Sequence, residues 1–182
     1  MRYITTVSNQ QTTDPKAAAD HWSAVEEATE LLVEERYIEA LIELRRVIKS
    51  DQQNPYAFHY LGVALFETGE LETARDAYRA AIRLAPDYLA ARIGLSHTLR
   101  TLGDVEGALR EAKEALRRFP KDGDALHAAG LAHAARGNKH LAKEHLERYL
   151  QSGPEAESAL EVRQILEMLG ISGDDDEPVH FE

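Results

Sequence analysis

Residues 55–88 read PYAFHYLGVALFETGELETARDAYRAAIRLAPDY, and the placement of small and large side chains in this stretch decides the fold. Phe58, Leu61 and Leu65 fall three and four apart, on one side of a first helix. Ala74, Tyr78 and Ala81 do the same on a second. Gly69 stands in the short break between them, where a positive φ ends a helix without steric cost. Gly62 and Ala81 are small where the two helices must approach closely. Pro86 cannot continue the second helix and marks where the next unit begins. The spacing predicts an antiparallel helical hairpin.

Related spacing returns on both sides. Upstream, Asp14-Pro15 is a helix start, cap followed by first-turn proline, and predicts a helix to about Glu34 carrying Trp22, Ala24, Ala28 and Leu31. Its partner begins near Tyr37, with Ala40, Leu44 and Val47 facing inward. This hairpin, 21–54, is degenerate: Glu27 stands where leucine is expected, and Glu35-Arg36 replace a glycine turn. Unit 89–122 keeps Leu95, Leu99, Gly103-Asp104, Ala108, Ala115 and Pro120, and departs at Arg92 and Ala112. Unit 123–156 keeps Gly130, Gly137-Asn138, Ala142, Leu146 and Pro154, and departs at Ala129, His133 and Tyr149. A last helix, about 155–169, has no partner after it and reads as the solvating cap of an array that spans 14–170. Residues 1–13 are expected to form an extended arm and 171–182 an acidic, disordered tail.

Leu61-Gly62, Leu65, Gly69-Glu70, Ala74, Tyr78, Ala81 and Pro86, with Phe58 at the tryptophan position, resemble the tetratricopeptide repeat, W-x2-L-G-x2-Y, then A-x3-F, then P over about 34 residues. The resemblance covers roughly residues 21–169. It implies an all-α fold, a right-handed superhelical array of antiparallel helix hairpins with a C-terminal capping helix, the first helix of each unit lining the concave side. It also implies a protein–protein interaction module, an adaptor, scaffold or chaperone-like protein, rather than an enzyme or a cofactor carrier.

Composition narrows the function further. The net charge of −11 argues against nucleic-acid binding, which relies on clustered lysine and arginine. Charge is uneven: residues 157–182 carry eight acids and one base, whereas 89–122 carry seven bases and five acids, a pattern that solvated helix faces and an acidic tail explain. The absence of cysteine removes disulfides, thiolate metal sites and cysteine nucleophiles. The first residues show no apolar run typical of a secretory signal, and no stretch is long enough to span a bilayer, so a cytoplasmic protein is expected. No glycine-rich phosphate loop, nucleophile elbow or paired carboxylates on a recognisable scaffold are present.

One helix carries more apolar surface than its fold requires. Beside the packing stripe of 55–68 runs a second, Tyr56, His59, Val63 and Phe66, flanked by Tyr60. The resemblance turns that stripe toward a concave groove. Carried to the other units, it adds Trp22, Val25, Thr29 and Leu32, then Ala90, Ile93, His97 and Arg100, then Asp124, His127 and Leu131. The expected occupant is an extended or helical apolar segment of another protein. The alternative for the stripe itself is that curvature buries part of it against the next repeat. The family's carboxylate clamp for chaperone C-termini would need basic or amide side chains at Val25, Thr29, Tyr60, Ala90 and Gly94, and has none. Two further readings compete: a histidine-based metal or hydrolytic site, and self-association through the same apolar surface. No two histidines stand three or four apart, the spacing that puts ligands on one helix face, although His59, His97 and His127 could converge from successive helices.

Overall fold

The computed structural model describes residues 15–170; the expected arm at 1–13 and the expected tail at 171–182 lie outside the described residues. The chain is all-α, and its packing divides into two compact units at the Glu111/Ala112 junction. Unit 1 holds α1 (Pro15–Ser23), α2 (Glu26–Val33), α3 (Tyr37–Ser50), α4 (Pro55–Glu67), α5 (Leu71–Leu84), α6 (Leu89–Thr101) and the first half of α7 (Val105–Arg118). Unit 2 holds the rest of α7, then α8 (Gly123–Ala135), α9 (Lys139–Gln151) and α10 (Ala156–Met168).

The hairpin turns follow one period. Glu35, Gly69, Gly103 and Gly137 stand 34 apart (69 − 35 = 103 − 69 = 137 − 103), and each has positive φ, 58°, 83°, 83° and 80°. At each, the amide of the next residue reaches back to a carbonyl five positions earlier: Arg36 to Leu31, Glu70 to Leu65, Asp104 to Leu99 and Asn138 to His133, at 2.8–2.9 Å. This is the Schellman closure, and three of the four turns use glycine for it. Glu35 adopts the same left-handed backbone with a side chain that disfavours it.

The helix expected to run unbroken to Glu34 is two helices. The break falls at Ala24–Val25, where Val25 takes φ −110°, ψ 0° and its amide bonds to Trp22 O, three residues back, instead of four. Val25 is wholly buried, so the break delivers its side chain to the interior. α1 is held to the start of α4 by Asn54. Its Oδ1 accepts from the Ala57 amide at 3.1 Å, capping α4, and its Nδ2 donates to His21 O at 2.8 Å.

Each unit has a close-packed centre built from a large side chain over a glycine. In unit 1 the Tyr78 ring of α5 is wedged between Gly62 of α4 and Gly94 of α6; a Cβ on either would meet it at 2.8 Å and 2.5 Å. In unit 2 Leu146 of α9 takes that place over Gly130 of α8, where a Cβ would meet it at 2.5 Å. Leu146 joins Leu126, Tyr149, Val162 and Leu166 in one cluster, so α10 contributes directly to the core of unit 2. Arg92, where an aromatic was expected, is held by Glu111 at 2.6 Å and by Pro86 O at 3.0 Å, an ion pair standing in for ring packing.

Candidate functional site

α4 is apolar on nearly every side, and its two stripes divide differently from the sequence expectation. Leu61, assigned to packing within the hairpin, is only half-buried, whereas Tyr56 and Tyr60 are closed off from solvent. The cause is a ring cluster from three elements. Trp22 of α1 meets Tyr56 edge-on at 5.8 Å and Tyr60 at 6.1 Å, and Tyr88, just before α6, meets Tyr56 at 5.4 Å and His59 at 4.9 Å. Such pairs add about 0.5–1.5 kcal/mol each beyond the area they bury.

Tyr88 is the member that sequence reasoning missed. Its counterparts one period away on either side, Asn54 and Asp122, accept hydrogen bonds from Ala57 and Ala125 as helix caps. Tyr88 precedes α6 without capping it, and its ring enters the cluster instead. The readable signal is an aromatic residue in a register where the neighbouring repeats carry a capping side chain.

The cluster is electrically quiet. Burial pushes the His59 imidazole down to about 3, so the ring is neutral at physiological pH. The Tyr60 and Tyr88 phenols are pushed up, again chiefly by burial. His59 Nδ1 and Tyr88 Oη find no hydrogen-bond partner among the described residues.

The expected groove residues thus separate into two sets. Val25, Tyr56, His59, Tyr60, Ile93 and His97 are buried in unit 1 and cannot themselves touch a partner in this state. Trp22 and Tyr88 lie against Tyr56, His59 and Tyr60. Trp22, Thr29, Val63, Phe66 and Arg100 are partly exposed, as is Ala90. Val63 and Phe66 continue the Tyr56–His59 face of α4 beyond the rings that cover it, so that face opens toward the helix C-terminus. The Thr29 hydroxyl donates to Glu26 O at 2.7 Å, within its own helix. In unit 2, His127 is buried and stacked on Tyr149 at 4.7 Å, and Leu131 packs against the core cluster, so these two belong to that unit's interior. At the clamp positions, Val25 and Tyr60 are buried and Gly94 is filled by Tyr78.

Among the described residues the histidines do not gather into a ligand set. Among the described residues no group of three or more His, Cys, Asp or Glu side chains is placed to hold a metal ion. His133 and His145 face each other across the α8–α9 hairpin at 5.5 Å as a pair, both pushed down mainly by burial. No helix among the described residues is long and apolar enough to cross a membrane.

Comparison with known proteins places these observations. Two family models described as tetratricopeptide repeat match residues 25–88 and 65–129. The peptidyl-prolyl cis-trans isomerase FKBP42 of Arabidopsis thaliana is 35% identical over 79 residues, which is 43% of this chain and 20% of that protein's length. The chain therefore spans a small part of that relative. Among solved structures, TTC0263, a thermophilic tetratricopeptide protein of Thermus thermophilus, superposes with a TM-score of 0.72 at 24% identity, covering 83% of this chain and 84% of that one. The first such domain of RPAP3, bound to the HSP90 peptide SRMEEVD, superposes with a TM-score of 0.60 at 18% identity, covering 64% and 92%. At these identities the structural likeness shows the fold.

Proposed function

Because the chain belongs to the tetratricopeptide repeat family, whose arrays are protein–protein interaction modules, we propose that it is an adaptor or scaffold that binds a partner protein without catalysis. The ligand is an extended or helical apolar segment, and it engages the open end of the α4 face in unit 1 at Val63 and Phe66. The observation that carries this reading is the half-exposed Val63–Phe66 pair extending a neutral, buried bed of aromatic rings. Rigid aromatic surface of this kind anchors partners at low entropic cost. A peptide seated on the similar RPAP3 domain supports a peptide as the class of ligand. The acidic character of that peptide does not carry over, because Val25, Thr29, Tyr60, Ala90 and Gly94 offer no cation or amide to a carboxylate.

The test is affinity capture with the wild-type chain and with Val63→Asp/Phe66→Asp, followed by identification of what is retained. The double variant should keep its helical circular dichroism and lose a partner that the wild type holds. Retention of the same partners by both proteins would remove the α4 face from binding.

A further inference from the structure

A second apolar surface lies on the first repeat. Val33 at the end of α2 and Ile38 and Ile42 on α3 are 65%, 65% and 64% exposed. Ile38 and Ile42 are four apart, so they form one ridge along the helix. The other repeats put different chemistry in these registers. Stepping by 34 from Ile38 gives Glu72, Glu106 and His140, all exposed, and from Ile42 gives Asp76, Arg110 and Glu144, also exposed. Positions that elsewhere carry exposed acidic, basic or imidazole side chains carry isoleucine here, with two β-branched side chains left facing water.

The charges around the ridge say what covers it. Residues 34–43 carry Glu34, Glu35, Glu39 and Glu43 against Arg36, a net of 1 − 4 = −3. Residues 44–50 carry Arg45, Arg46 and Lys49 with no acid, a net of +3. A whole chain of −11 repels its own copies, but this segment is neutral and polarised end to end. Two copies of α3 laid antiparallel about a two-fold axis at the height of Ala40 bring together residues whose numbers sum to 80. Ile38 then meets Ile42 of the other copy, and the turn that precedes α3, with Glu34 and Glu35, lies at the end that faces Arg45 and Arg46 of the other copy. Within one chain, Arg36 is bridged to Glu34 and Glu39 at 2.7 Å, a group of net 1 − 2 = −1, and Arg46 is bridged to Glu43. An isologous contact needs a surface that complements itself, and this one does in both charge pattern and apolar ridge.

We propose that α3 is a homodimer surface: two copies of this chain pair antiparallel through Ile38 and Ile42, with Val33 at the edge and the acidic turn at Glu34 and Glu35 on the side of Arg45 and Arg46 of the other copy. This does not depend on the α4 face. Sedimentation equilibrium from about 1 µM to about 1 mM, the span of dissociation constants for a contact of this modest kind, reads it directly. The wild-type mass should rise from 20.3 kDa toward twice that value. Ile38→Glu/Ile42→Asp, which installs the residues that the next repeat carries as Glu72 and Asp76, should remain a monomer throughout with an unchanged melting temperature. Arg45→Glu/Arg46→Glu should also be monomeric, and adding Glu34→Arg/Glu35→Arg should restore the dimer. A wild type that stays monomeric at the highest concentration overturns the proposal. So does a dimer that survives Ile38→Glu/Ile42→Asp; if Val63→Asp/Phe66→Asp dissociates it instead, copies meet through the α4 face.

Discussion

α4 and α8 are the same helix in two units, 13 residues each, two periods apart (123 − 55 = 68), and they bury different chemistry. Both set a glycine under a bulky side chain of the following helix, Gly62 under Tyr78 and Gly130 under Leu146. Elsewhere they diverge: Tyr56, Tyr60 and Phe66 of α4 correspond to Asp124, Ala128 and Ala134 of α8. The hairpin contact accepts either composition, because it requires only that one small residue oppose one large one. The other face is where the units differ. In unit 1 that face is built of rings and reaches solvent; in unit 2 it is Asp124, Leu131 and Ala134, with His127 closed under Tyr149.

The largest effect should come from the wedge itself. Tyr78→Ala leaves a void beside both Gly62 and Gly94 and is expected to cost about 3–5 kcal/mol in urea unfolding. Leu146→Ala, which opens space over Gly130 alone, should cost about 2–5 kcal/mol, toward the lower end. Equal losses would mean that the two glycines in unit 1 do not share one side chain in any energetic sense.

Acid should separate the units next. His59 is neutral when folded, with its value pushed down to about 3, while the unfolded chain titrates near 6.5. Below pH 6.5 the unfolded chain takes up a proton that the folded one refuses. The stabilisation is therefore complete above 6.5 and is lost as pH falls, by about 1.4 kcal/mol per pH unit. His59→Phe should flatten the decline in stability measured between pH 6.5 and 4.5. The slope that remains belongs in part to the lowered His133–His145 pair of unit 2. A variant as acid-sensitive as the wild type would show that the imidazole is reached by solvent.

The two ends of the α4 face should then differ from each other. Tyr56→Ala removes a buried ring held by Trp22 and Tyr88 and is expected to cost about 3 kcal/mol. Phe66→Ala removes a partly exposed ring and should cost roughly half as much or less, read as a smaller drop in melting temperature. Equal costs would make the whole stripe core and leave unit 1 with no open apolar face.

The smallest effect should be a gain. Glu35 holds φ 58° where the other three hairpin turns have glycine, so Glu35→Gly relieves left-handed strain and should stabilise by about 1 kcal/mol. A loss of stability would mean that the Glu35 side chain contributes more than its backbone costs.

Much of this was legible in the residues. The 34-residue period, the glycine turns at 69, 103 and 137, and the degenerate turn at Glu35 follow from spacing, because helix periodicity and backbone sterics are local. Gly62 as a close-approach site and the helix that ends before Gly170 follow for the same reason. Three things depended on elements brought together across the chain. The break at Ala24–Val25 has no proline or glycine to announce it and accompanies the burial of Val25. The closing of Tyr56 and His59 needs Trp22, 34 residues before Tyr56, and Tyr88, 29 after His59, to converge on one helix. The partial exposure of Leu61 is likewise decided by the elements around α4. Sequence periodicity assigns a residue to a helix face, since that depends on its own backbone alone. Whether the face is covered depends on how near the adjacent helices lie, and that distance is set by side chains many residues away.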